Sequence, residues 1–174
     1  MAALAAAGAC RQKSAETRGT VQEPAAQTAV QKAPELASTV HMGDPQSARQ
    51  LESGFYGIEN NAWRWTAKKF TATLHTPAGA REGGAVLNLN FTVPQVTIDK
   101  LRSVTLAAAV NGVPLPSATF STPGSYTYKR DVPPSAFKSD VSRAEFTLDK
   151  ALPPGQPDVR ELGVVALAVG LEAK

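Results

Sequence analysis

GFYGIENNAWRWT, residues 54–66, is the stretch whose reading decides the fold. It carries four of the chain's eleven aromatic side chains, both tryptophans among them, and a Glu59/Arg64 pair. Aromatic residues fit a pleated, half-buried surface. The stretch reads as a strand, a turn and a second strand. No aromatic residue precedes Phe55, so it also opens the part of the chain that can build a core.

Downstream, the apolar residues recur with a period of two. Phe70, Ala72 and Leu74 alternate with Thr71, Thr73 and His75; Leu87, Leu89, Phe91 and Val93 alternate with Asn88, Asn90 and Thr92. Val104, Leu106, Ala108 and Val110 share a face, as do Tyr126, Tyr128 and Arg130, and Ala144, Phe146 and Leu148. Each set is the signature of a half-buried strand. Asn111-Gly112 is a two-residue hairpin signal because both positions tolerate positive φ. Pro123-Gly124, Pro133-Pro134 and Pro153-Pro154-Gly155 mark other turns. A helical turn is expected near Ile98–Leu101 with Thr97 as its cap. Glu161 to Leu171 is apolar on both faces and is expected to be covered on both. Short strands between turn signals argue an all-β sandwich or barrel over 54–174 rather than a parallel sheet with helices.

Upstream the composition changes. Residues 11–53 are rich in Ala, Gln, Thr, Ser, Glu and Pro and cannot bury enough apolar surface to offset ordering entropy. They are expected to form a disordered N-terminal tail, with at most a transient helix from Pro45 to Glu52 capped by Asp44. His41 there reads as a solvated residue. Residues 1–10 end in Ala7-Gly8-Ala9-Cys10, which resembles the end of a bacterial lipoprotein signal peptide. The resemblance implies that Cys10 is lipidated, that 11–53 is a tether, and that the domain sits in the cell envelope, periplasmic or at the outer surface. The run lacks a basic leading segment. The competing reading is an Ala-rich end with an incidental cysteine.

The net charge is +3, all of it beyond residue 53, with no Lys/Arg run longer than two. Nucleic-acid recognition wants a denser basic footprint. No stretch approaches the ~20 apolar residues of a membrane-spanning helix, so a lipid on Cys10 is the expected membrane attachment. One cysteine and two histidines give no Cys/His metal set, and no cofactor or metal is expected. His75 is the sole histidine beyond residue 53 and lacks a signature of nucleophilic catalysis around it, so no enzyme is expected.

The order of Gly54-x-Tyr56-x-x-Glu59, Trp63-Arg64-Trp65, Val110-Asn111-Gly112, Pro123-Gly124-x-Tyr126 and Arg160-Glu161-Leu162-Gly163-Val164 resembles a bacterial β-sandwich module. That module is appended to glycosyltransferases and occurs in envelope proteins of unassigned function. The resemblance implies an all-β, jelly-roll-like antiparallel β-sandwich in a carbohydrate-handling setting, and no catalytic residues. Carbohydrate binding would use Trp63 or Tyr128 to stack on sugar C–H faces, with Asn60 and Asn61, or Asn88 and Asn90, bonding hydroxyls. The alternative is a structural or protein-interaction module of an envelope complex with no sugar site.

Two acid–base pairs sit in the two end motifs. Arg64 alternates with Trp63 and Trp65, and Arg160-Glu161 leads into the last strand. If first and last strands lie side by side, Glu59, Arg64, Arg160 and Glu161 meet. Arg64 is then expected to pair with Glu59 or Glu161 and fix strand order, because its planar fork holds a carboxylate bidentately. Otherwise Glu59 and Arg64 face a ligand groove.

Overall fold

The structure is a computed structural model that describes residues 35–174. Nine strands follow in chain order: β1 (Thr39–His41), β2 (Leu51–Phe55), β3 (Arg64–His75), β4 (Ala85–Val93), β5 (Val104–Val110), β6 (Val113–Phe120), β7 (Gly124–Val132), β8 (Val141–Leu148) and β9 (Val165–Ala173). Two short helices, α1 (Ala80–Gly83) and α2 (Gln95–Leu101), flank β4.

The strands form two layers of an antiparallel, jelly-roll-like sandwich. One sheet runs β6-β5-β8-β3-β2 and the other runs β7-β4-β9. The twelve-residue β3 belongs to both: its start, Arg64 and Trp65, pairs with β9, and Lys69 to His75 pairs with β8. Where β3 leaves β9, β1 takes over the same edge, Thr39 opposite Gly170 and His41 opposite Ala168. The opposite seam, between β6 and β7, closes through side chains. Tyr128 Oη and Arg130 Nε both donate to the Pro116 carbonyl, at 2.7 and 2.8 Å.

The alternation places Phe70, Leu74, Leu87, Leu89, Phe91, Leu106, Phe146, Leu148 and Leu171 in the core, each at most 1% exposed. Phe70 and Phe146, opposite each other on β3 and β8, stack at 4.9 Å. Each such side chain contributes ~1.5–3 kcal/mol by leaving water. Asn111 and Gly112 have φ of 50° and 81° and join β5 to β6 as the hairpin signal predicted.

Three expectations differ from the structure. Residues 35–53 belong to the fold. β1 adds to β9, Met42 is fully buried, and Pro45–Gln50 forms a 3-10 helix whose cap, Asp44, accepts from the Gln46 N–H. Buried Gln50 explains why this polar segment is held. Its Oε1 accepts from the Ala37 N–H at 3.0 Å, and its Nε2 donates to the carbonyls of Ala37 and Thr73, at 2.9 and 2.8 Å. Cys10 and residues 11–34 of the expected tether lie outside the described residues. The helix near Ile98 starts at Gln95 after Pro94, so Thr97 is inside it and buried, not its cap. The last strand starts at Val165, and its outer face is not fully covered, since Leu167 is exposed.

Candidate functional site

The two end motifs meet. Thr66 Oγ1 accepts from the Val164 N–H at 3.1 Å, and Tyr56 Oη donates to the Glu161 carbonyl at 2.8 Å. Arg160 joins Glu59 at 2.9 Å and Asp158 at 2.7 Å, with its guanidinium 5.1 Å from the Tyr56 ring centre. The Arg160 fork holds the Asp158 carboxyl down at about 2. Glu161 Oε1 accepts from the Lys68 N–H. Among the described residues Arg64 reaches no carboxylate. It is 8% exposed, and its guanidinium donates to two carbonyls, Met42 at 3.1 Å and Tyr56 at 2.9 Å. Burial lowers its pKa. Arg160, not Arg64, makes the ion pair with Glu59, and Arg64 instead ties the residue after β1 to the residue after β2.

The proposed stacking residues divide. Tyr128 is 1% exposed, inside the sandwich beneath Arg130, and no ligand can stack on it. Burial raises its pKa. Trp63 is half-buried, edge-on to Trp65 with ring centres 6.5 Å apart. Asn60 and Asn61 are exposed, with φ of 49° and 53°, in the turn that the Ala62 N–H closes onto the Glu59 carbonyl. Asparagine tolerates that backbone, which accounts for the pair without a ligand.

A different surface gathers polar side chains: the outer face of the sheet formed by β7, β4, β9 and β1. Register places Thr127, Asn90, Ala168 and His41 in one row across the four strands. Lys129, Asn88, Gly170 and Thr39 form the next. Two shallow depressions, of about 340 and 210 Å³, meet at Asn90 and make one trough. Small residues form its floor. A Cβ on Gly170 would lie 2.5 Å from Thr39 Oγ1, so only glycine lets β1 pack this close.

Within the trough, Thr127 Oγ1 donates to Asn90 Oδ1 at 2.8 Å and fixes that amide. Asn90 Nδ2 and the Asn88 amide are left without side-chain partners among the described residues. A slip in the β4–β9 register between Asn90 and Phe91 makes Leu167 an extra residue and brings it to the surface, 38% exposed, at the end of the trough. A bulge re-aims a side chain in this way. Asn88 and Asn90 were visible in the sequence as the polar half of a clean alternation. Thr127 and Leu167 were not singled out as site residues, and His41 was read as solvated rather than as a ligand contact; the outward phase of β7 opposite β4 is the one signal that pointed to Thr127.

No family model matches the sequence, and no curated protein matches it. Among solved structures the chain is similar to the CBM36-1 domain of a multidomain xylanase from the hindgut metagenome of Trinervitermes trinervoides. That match has 11% identity and a TM-score of 0.43, over 78% of this chain and 96% of that one. It is similar at 12% identity and TM-score 0.46 to a carbohydrate-binding module described for specific mannan recognition, over 80% of this chain and 98% of that one. An acetyl xylan esterase from the rumen bacterium Butyrivibrio proteoclasticus matches at 11% identity and TM-score 0.47, over 80% of this chain and 33% of that chain. At these values the ligands of those proteins say nothing about this one. Among the described residues no three His, Cys, Asp or Glu side chains group to hold a metal ion, and no helix is long and apolar enough to cross a membrane.

The trough can offer hydrogen bonds in both directions over a small-residue floor. An amide is donor and acceptor at once, which suits hydroxyl groups that are the same. Charge there is balanced: Lys129 and Glu172 are both exposed, and Asp131 is held by Lys174 at 3.2 Å.

Proposed function

We propose that this chain is a non-catalytic carbohydrate-binding domain whose ligand lies across β7, β4, β9 and β1. One observation carries the reading: the row of Thr127, Asn90 and His41 beside Asn88 and Thr39, over Ala168 and Gly170. Strands are ~4.8 Å apart, so four of them present about 14 Å, the length of about three sugar rings. A glycan array probed with the full chain tests it, followed by titration of the best hit. Asn90→Ala and Asn88→Ala together are expected to weaken binding about tenfold or more, for one to two lost hydrogen bonds, with the melting temperature unchanged. A blank array, or full affinity in the double variant, overturns the reading.

A structural or protein-interaction role is the second reading, and one observation favours it. No Trp, Tyr or Phe faces outward from β4, β7 or β9. Tyr126 edges the trough, but its ring packs on Phe91 and Phe120.

Location is a further part of the proposal. Cys10 carries the lipid and the residues behind it tether the domain in the cell envelope, as the Ala7-Gly8-Ala9-Cys10 run suggests. In cells making the chain with its full leader, Cys10→Ala should leave the membrane fraction. Unchanged fractionation would remove the anchor.

A further inference from the structure

We infer that the trough selects sugars bearing an acetamido group; the inference rests on the carbohydrate reading above. An acetamido group presents a carbonyl oxygen, an N–H and a methyl, and each meets a counterpart here. Thr127 occupies Asn90 Oδ1, so Asn90 turns a pure donor, Nδ2, toward the ligand. That donor suits a carbonyl oxygen. Asn88 stands two residues along the same face, roughly 7 Å away, and its carbonyl side is open to an N–H.

The methyl goes to Leu167. The alternation of β9 puts Val169 and Leu171 inside, each 1% exposed. Leu167 would have followed them without the register slip beside Asn90. The slip instead brings a large apolar side chain to the surface beside Asn90 and Thr127, in the same depression. A purely hydroxylated sugar leaves this leucine wet. A methyl group covers it.

Charge narrows the class further. The opposite charges of Lys129 and Glu172 flank the trough, and Asp131 is already paired with Lys174. Nothing there favours an acidic or a basic sugar, so the ligand is a neutral, N-acetylated oligosaccharide.

Calorimetry with the full chain tests this, using triacetylchitotriose and cellotriose, which share a linkage and differ in the acetamido group. The N-acetylated trisaccharide is expected to bind about tenfold tighter or more, the range a methyl in a fitted site provides. Leu167→Ser should erase most of that preference by weakening the N-acetylated trisaccharide. Asn90→Ala should weaken both sugars. Equal affinities, a preference for cellotriose, a preference that survives Leu167→Ser, or no binding of either trisaccharide each overturn the inference. An array that lights up only with non-acetylated glycans sinks the acetamido assignment and leaves the carbohydrate reading standing. A blank array sinks both.

Discussion

Arg64 holds two carbonyls, one on the fully buried Met42 and one on the half-buried Tyr56. Charged donors to buried acceptors are worth ~1.5–3 kcal/mol each, and an acceptor left unpaired costs more than the bond itself contributed. Arg64→Ala should therefore cost about 3 kcal/mol or more in chemical denaturation. A loss under about 1 kcal/mol would reduce the side chain to surface decoration. Arg64→Lys is expected to recover little, because one ammonium cannot span the Met42 and Tyr56 carbonyls as the guanidinium does. Arg160 is bound differently, by two carboxylates, and its mark is on the titration of Asp158. With Asp158 depressed to about 2, the contribution of this pair is complete above the ordinary value of ~3.9 and fades as pH falls through about 2. NMR should find the Asp158 carboxyl titrating near the low end of that window, and returning toward ~3.9 in Arg160→Gln. A normal midpoint in the unmutated chain would dissolve the pair. Both arginines were singled out by their place in motifs. Arg64 was expected on Glu59 or Glu161 and lies on carbonyls instead, because a sequence displays charges and conceals carbonyls.

The shortest strand depends on the smallest residue. β1 meets β9 over three residue pairs, and Thr39 rests where Gly170 has no side chain. In Gly170→Ala the methyl displaces Thr39. Exchange of the Met42 N–H, bonded to the Leu167 carbonyl, and of the Leu171 N–H, bonded to the Ser38 carbonyl, should then speed up about tenfold or more, ~1.4 kcal/mol of local stability. Thr39→Ala in the same chain should restore much of the protection, since the two sites share one contact. Unchanged exchange in the single variant would mean that β1 is held elsewhere. The long strands β3, β4 and β8 were legible because each buries one face of alternating side chains. β1 was not. It buries little beyond Val40 and Met42, and its order is borrowed from β9, more than a hundred residues away, and from the Gln50 amide. No window of local sequence contains β9. Leu167 escaped for a related reason: a bulge changes the phase of a strand without changing its composition.

Across the molecule, the ordered part begins well before the aromatic-rich stretch. Limited proteolysis of the full chain should yield a resistant fragment that still contains Ala37. A stable product starting after Gln50 would show that the β1 segment is dispensable. The sandwich class was readable from period and turns alone. The layout of the trough was not, since it is made where four strands from the two ends and the middle of the sequence line up in register. That arrangement also has a consequence for how the chain is made. β9 runs between β4 and the shared edge of β3 and β1, so the sheet lacks its centre until synthesis has passed Ala173. The β5–β6 hairpin can close early, but β4 must wait with one edge unpaired while its partner emerges. The sandwich therefore cannot close before β9 has been made. Any truncation that removes β9 leaves the edge of β4 open to pairing with another molecule.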